Sequence, residues 1–113
     1  MIVVKINVDG DRIIDVEAKG HSGYAKYGKD IVCSAVSAVV QTALLGLIDF
    51  SSGKVEYVVN NEEGYLKFSV PEPCSEKENI EQQAILKTMQ LGLRDIERGY
   101  GAYLKTEVKQ LCL

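Results

Sequence analysis

No basic excess, no paired cysteines and no leader-like start mark this chain of 113 residues, and each absence closes off a class of function. Thirteen basic side chains against sixteen acidic ones give a net charge of -3, so there is no overall field of the kind that drives nonspecific nucleic-acid binding. Three cysteines, Cys33, Cys74 and Cys112, are an odd number without close pairing, which argues against a disulfide framework and for a reducing compartment. No basic region precedes an apolar run at the N-terminus, so nothing there reads as a secretory signal and the expectation is a cytoplasmic protein. The longest apolar stretch, Ile31 to Phe50, is interrupted by Ser34, Ser37, Gln41, Thr42 and Asp49. It falls short of the ~20 unbroken apolar residues of a membrane span, and it is read as a buried helix with no membrane partner.

What is present is a soluble mixture, 46% apolar and 26% charged, of a length suited to a single domain covering residues 1–113. Ile2 to Asp9 alternates, with Ile2, Val4, Ile6 and Val8 on one face, and Ile13 to Lys19 repeats the pattern with Ile14, Val16 and Ala18. Asp9, Gly10 and Asp11 supply the turn of a hairpin between them. Asp30 suits the cap of a helix running to Phe50, which Ser51, Ser52 and Gly53 end. Val55–Val59 and Tyr65–Val70 predict a second hairpin around the turn Asn60–Gly64. Ser75, with Glu78 three residues on, predicts the start of a second helix with an apolar stripe of Ile80, Ala84, Leu86, Leu91, Leu93 and Ile96. Tyr103 to Val108 offers a closing strand. The order ββαββα, with that one strand more, predicts an α+β layer structure of two helices on an antiparallel sheet.

Between the first hairpin and the first helix, Gly20, Gly23 and Gly28 space out a segment holding the chain's one histidine, His21, together with Tyr24 and Tyr27. Twelve residues after the histidine comes Cys33, in the opening turn of the helix. There the dipole and free amides would favour a thiolate and supply donors for an oxyanion. A thiolate, an imidazole and amide donors are what a cysteine peptidase needs. The plain alternative is a small buried cysteine and a solvated histidine. Asp30 either orients the imidazole or only caps the helix. Ser37, one turn beyond Cys33, either contacts the thiol or packs on the sheet. Tyr24 and Tyr27 either cover a substrate side chain or hold the loop down.

Two other chemistries fit poorly. Gly23, Gly28 and Lys29 form G-x-x-x-x-G-K, but Asp30 follows where a phosphate loop needs a hydroxyl, and the flanking units are antiparallel. Three cysteines and one histidine lack the C-x-x-C pairing of a zinc site. No cofactor is called for.

The string GHSGYAKYGKDIVCSAVS, Gly20 to Ser37, closely resembles the signature of the ribosomal-processing cysteine proteases, the Prp family: G-H-x-G-Y-A, then Y-G-x-D-I-V-C, then S-A-V-S. Outside it the resemblance extends along the chain only in order of elements and length. It implies that His21 and Cys33 are a catalytic dyad, with Asp30 and Ser37 on signature positions. It also implies a ββαββα homodimer whose histidine-bearing loop closes on substrate. The implied reaction removes a short N-terminal extension from large-subunit ribosomal protein twenty-seven, cutting after phenylalanine in an apolar stretch. Ser22 stands where the family often has alanine, a small-for-small change. A noncatalytic ribosome-associated binding module is the competing reading, motivated by the chain's small size.

Overall fold

The structure, a computed structural model, describes residues 1–21 and 30–111. Its elements are β1 (Ile2–Asp9), β2 (Arg12–Lys19), α1 (Ile31–Phe50), β3 (Tyr57–Asn60), β4 (Tyr65–Ser69), α2 (Glu76–Tyr100) and β5 (Leu104–Gln110). The strands form one sheet in the order β3-β4-β2-β1-β5, and the helices pack on it, as the α+β expectation has it. The sheet is mixed, because β5 lies parallel to β1 while every other neighbouring pair is antiparallel. The closing strand therefore exists, and α2 is the crossover that brings it back beside the first.

The alternation in β1 sends Ile2, Val4 and Ile6 into the core. In β2 Val16 is buried as expected, but its inward companion is Ile13 instead of Ile14. A β-bulge lies between Asn7 and Val8: Asn7 pairs with Asp15 and Val8 with Ile13, which leaves Ile14 as the extra residue and shifts the pleat by one. Gln83 fastens this irregular stretch from α2. Its side chain accepts from the Ile13 N–H at 2.7 Å and donates to the Ile13 carbonyl at 3.0 Å.

α1 is by length and composition long and apolar enough to cross a membrane, its few polar side chains notwithstanding. Val32, Val36, Val40, Ala43, Leu44 and Leu47 are nevertheless buried against the rest of the fold, which is the work of a core helix. α2 departs from its expected stripe at three places. Ile80, Ala84 and Leu91 are exposed, the isoleucine 59% and the leucine 70%, and the buried face runs Glu78, Gln82, Leu86, Met89 and Leu93. Its first two members are polar and hydrogen-bonded, although the buried Gln82 Oε1 has no partner among the described residues. Glu78 accepts from the Ser52 and Cys74 amides, and Gln82 donates to Ser51 Oγ and the Pro71 carbonyl. Hydropathy misplaces the stripe because the start of α2 packs on the connections after α1 and β4, whose backbone polar groups need partners.

Candidate active site

α1 begins where the sequence places it. Asp30 is extended, and its Oδ1 accepts from the amides of Val32 and Cys33, both at 3.0 Å. Asp30 is therefore the cap. The same contacts change the electrostatics expected of the first turn, since the Val32 and Cys33 amides, expected to face the sulfur or an oxyanion, are held by a carboxylate. Burial, then the nearby charge of Asp30, push the Cys33 thiol above its ordinary value, and the hydroxyl of Ser37 hydrogen-bonded to it pulls the other way. The helix start by itself therefore does not lower the Cys33 thiol in this arrangement, where burial and Asp30 outweigh the Ser37 hydroxyl.

Cys33 is half-buried and lines a cavity of about 60 Å³ with Val36, Ser37 and Val40 of α1, Ile2 of β1, Ala18 of β2, and Leu66 of β4. Gly20, Gln41, Asn61, Gly64 and Tyr65 complete much of its rim. The wall is mainly apolar, and the Tyr65 hydroxyl is turned to Glu17 Oε2 at 2.8 Å.

His21, directly after β2, is exposed, and its ring lies against Gly64 in the turn between β3 and β4. A Cβ built on Gly64 would stand 2.9 Å from both Cε1 and Nε2 of the imidazole and 2.7 Å from the Gly20 carbonyl oxygen. Gly64 has φ of +64°, and its carbonyl accepts from the Gly20 N–H at 2.8 Å. Gly20 has φ of +103°, and a Cβ there would meet the Met1 carbonyl oxygen at 2.5 Å, so it too must be glycine. Cys33 and the support of His21 thus border one cavity, although one comes from a helix and the other from the sheet.

The structure places Gly20, Cys33 and Ser37 on one cavity and Asp30 at the cap beside Cys33, while His21 rests against Gly64, which lines that cavity. Gly23, Tyr24, Tyr27 and Gly28, together with Cys112, lie outside the described residues. Sequence reasoning missed Gly64 and Gln41. Gly64 was legible as a turn residue, but nothing in the string links it to His21. Cys74 is exposed just ahead of the α2 cap, away from the cavity walls. Among the described residues no cluster of three or more His, Cys, Asp or Glu side chains is placed to hold a metal ion.

Comparison with known proteins places these features in a lineage. The family model described as "Cysteine protease Prp" matches residues 1–105. Ribosomal processing cysteine protease Prp of Bacillus subtilis (strain 168) is 31% identical over 101 residues, covering 88% of this chain and 90% of that protein. Its namesake from Staphylococcus aureus (strain Mu50) is 31% identical over 110 residues, covering 96% and 100%. The crystal structure of an essential ribosomal processing protease Prp from S. aureus, in complex with a covalently linked product peptide, superposes with a TM-score of 0.83 at 30% identity over 96% of this chain and 100% of that one. A second structure of the S. aureus protease, in complex with a substrate peptide, gives 0.78 at 29% over the same shares.

Proposed function

Because this chain belongs to the cysteine protease Prp family, we propose that it removes the N-terminal extension of large-subunit ribosomal protein twenty-seven, with Cys33 as nucleophile and His21 as base. Membership makes the chain a cysteine peptidase, a hydrolase, and sets aside the noncatalytic binding module. The observation that carries the residue assignment is the shared cavity: Cys33 lines it, and so does the glycine on which the imidazole rests. The peptide complexes of the S. aureus relative support a peptide substrate, and its name supports a ribosomal one.

In this mechanism His21 takes the proton of the Cys33 thiol, and the sulfur attacks the scissile carbonyl carbon. The imidazolium returns the proton to the departing amine, and the acyl group stays on sulfur. Water, deprotonated by the same imidazole, then releases the acid and restores the thiol. Ser37 steadies the anionic sulfur by its hydrogen bond. Asp30 holds the first turn in place. Ile2, Ala18, Val36, Val40 and Leu66 give the nucleophile's cavity an apolar wall for the substrate's apolar stretch to lie against. Gly20, Gly23, Tyr24, Tyr27 and Gly28, on the signature segment that bears the histidine, are assigned to substrate contact in this reading.

The protein acts in the cytoplasm, where its thiols stay reduced, and as a homodimer. A broad apolar groove between the helices supports the pairing. It measures about 640 Å³ and is lined by Val39, Ala43, Gly46, Phe50, Ile85 and Met89 among others. Light scattering on the purified protein should return twice the chain mass. For the reaction itself, incubation with the ribosomal-protein precursor should yield the trimmed product by mass spectrometry. Undiminished trimming by Cys33→Ala would reject the nucleophile.

A further inference from the structure

Two hairpin turns in this sheet contain a glycine in the same left-handed well, Gly10 at φ +66° and Gly64 at φ +64°. Their surroundings differ. Around the position of a Cβ on Gly10 there is nothing within 4 Å. On Gly64 that atom would meet Cε1 and Nε2 of His21 at 2.9 Å and the Gly20 carbonyl oxygen at 2.7 Å. Ordinary contacts of this kind lie near 3.5–4.0 Å, so a side chain at 64 would collide with the ring by more than half an ångström. Backbone conformation asks for glycine at both turns. Only at the second does a neighbouring side chain ask for it as well.

We propose that Gly64 is the positioning residue of His21: its bare α-carbon is the seat on which the Cε1–Nε2 edge of the imidazole lies. The hydrogen bond from the Gly20 N–H to the Gly64 carbonyl, 2.8 Å, ties the residue just before the histidine to the same turn. Gly64 also lines the cavity of Cys33, so the residue that the ring lies against belongs to the nucleophile's own cavity. This rests on the reading of His21 as base and adds to it a partner from a distant hairpin, outside the Gly20–Ser37 signature. A seat of this kind acts through placement of the ring, so its loss enters turnover and the pH dependence of the rate more than substrate affinity.

The experiment compares Gly64→Ala, Gly64→Asn and Gly10→Ala, with His21→Ala beside them, on a fluorogenic peptide carrying phenylalanine before the scissile bond in an apolar run. Asparagine tolerates the left-handed well better than alanine does but still carries a Cβ. Both Gly64 variants should lose kcat by on the order of 100-fold with KM little changed and with a displaced pH–rate profile. Gly10→Ala should lower the melting temperature while keeping kcat and the profile. The chain has one histidine, so its ring protons are unambiguous in NMR spectra. The wild type should show a nuclear Overhauser contact between His21 Hε1 and the α-protons of Gly64. Absence of that contact, or wild-type turnover in Gly64→Asn, overturns the seat whatever becomes of Gly64→Ala. Full activity in His21→Ala would instead remove the reading of the base, which separates the two failures.

Discussion

Each helix opens with a carboxylate and a cysteine within a turn of each other, and the two starts are wired differently. At α1 the acid comes first: Asp30 takes the Val32 and Cys33 amides, and the thiol that follows lies on a cavity wall. At α2 the cysteine comes first. Cys74 stands outside the cap with its thiol exposed, Ser75 accepts from Glu78 N–H, and Glu78 turns back to accept from the Cys74 and Ser52 amides and the Ser52 hydroxyl. The hydrogen bond from the Cys74 backbone, followed by that from Ser52, holds the Glu78 carboxyl below the usual carboxylate range. Both ends consume amide donors on an anion, so neither presents a bare dipole to sulfur. What separates Cys33 from Cys74 is therefore its cavity, the Ser37 hydroxyl and a cavity wall shared with the glycine that the His21 ring lies against.

Several substitutions break or sharpen this contrast. The largest effect is expected at sulfur: Cys33→Ala should leave no cleavage of the precursor, while Cys74→Ala should cleave at the wild-type rate. Loss of activity in both would mean that the α2 thiol takes part.

Next comes Glu78→Ala, which strips the acceptor from three donors and should lower the melting temperature by about 5 °C or more in calorimetry. Because its folded carboxyl lies below the unfolded value of ~4.3, the stabilisation by Glu78 is present above that pH and disappears as pH falls through the folded value. Between pH 6 and pH 3 the wild type should thus lose more stability than Glu78→Gln. Parallel curves would contradict the assignment.

Asp30→Ala should cost about 1 kcal/mol as a lost cap, and Asp30→Asn, which still caps, much less. The asparagine variant should also alkylate faster at Cys33 near pH 7, roughly twofold, because the charge that raises the thiol is gone. The smallest change belongs to Ser37→Ala, where the thiol rises further and alkylation slows by less than about twofold. Without substrate, the wild-type rate at Cys33 should climb with pH through a midpoint above the ordinary ~8.5, and a midpoint below it would restore the simple dipole picture.

What the string of residues made legible was local. Asp30 and Ser75 announce both caps because a short polar side chain before an apolar run has one good use there. The alternation of Ile2, Val4 and Ile6 needs only the period of a strand. Three features depend on partners far along the chain. The parallel pairing of β5 with β1 needs the crossover of α2, and the bulge that turns Ile13 inward is fixed by Gln83. The polar buried face of Glu78 and Gln82 is fixed by loops elsewhere. At the site the same division holds: the Gly20–Ser37 string names its own residues, while the contact of Gly64 with His21 exists only once β2 and β4 are paired.

The tight approach of Gly20 to the Met1 carbonyl has a practical corollary for anyone handling the protein. Residues fused ahead of Met1 would leave the fold beside Gly20, next to His21, and a handle made of histidines would drown the single imidazole signal. The other terminus is the safer attachment point, since Leu111 is tied by its N–H to the Val8 carbonyl at the opposite end of β1.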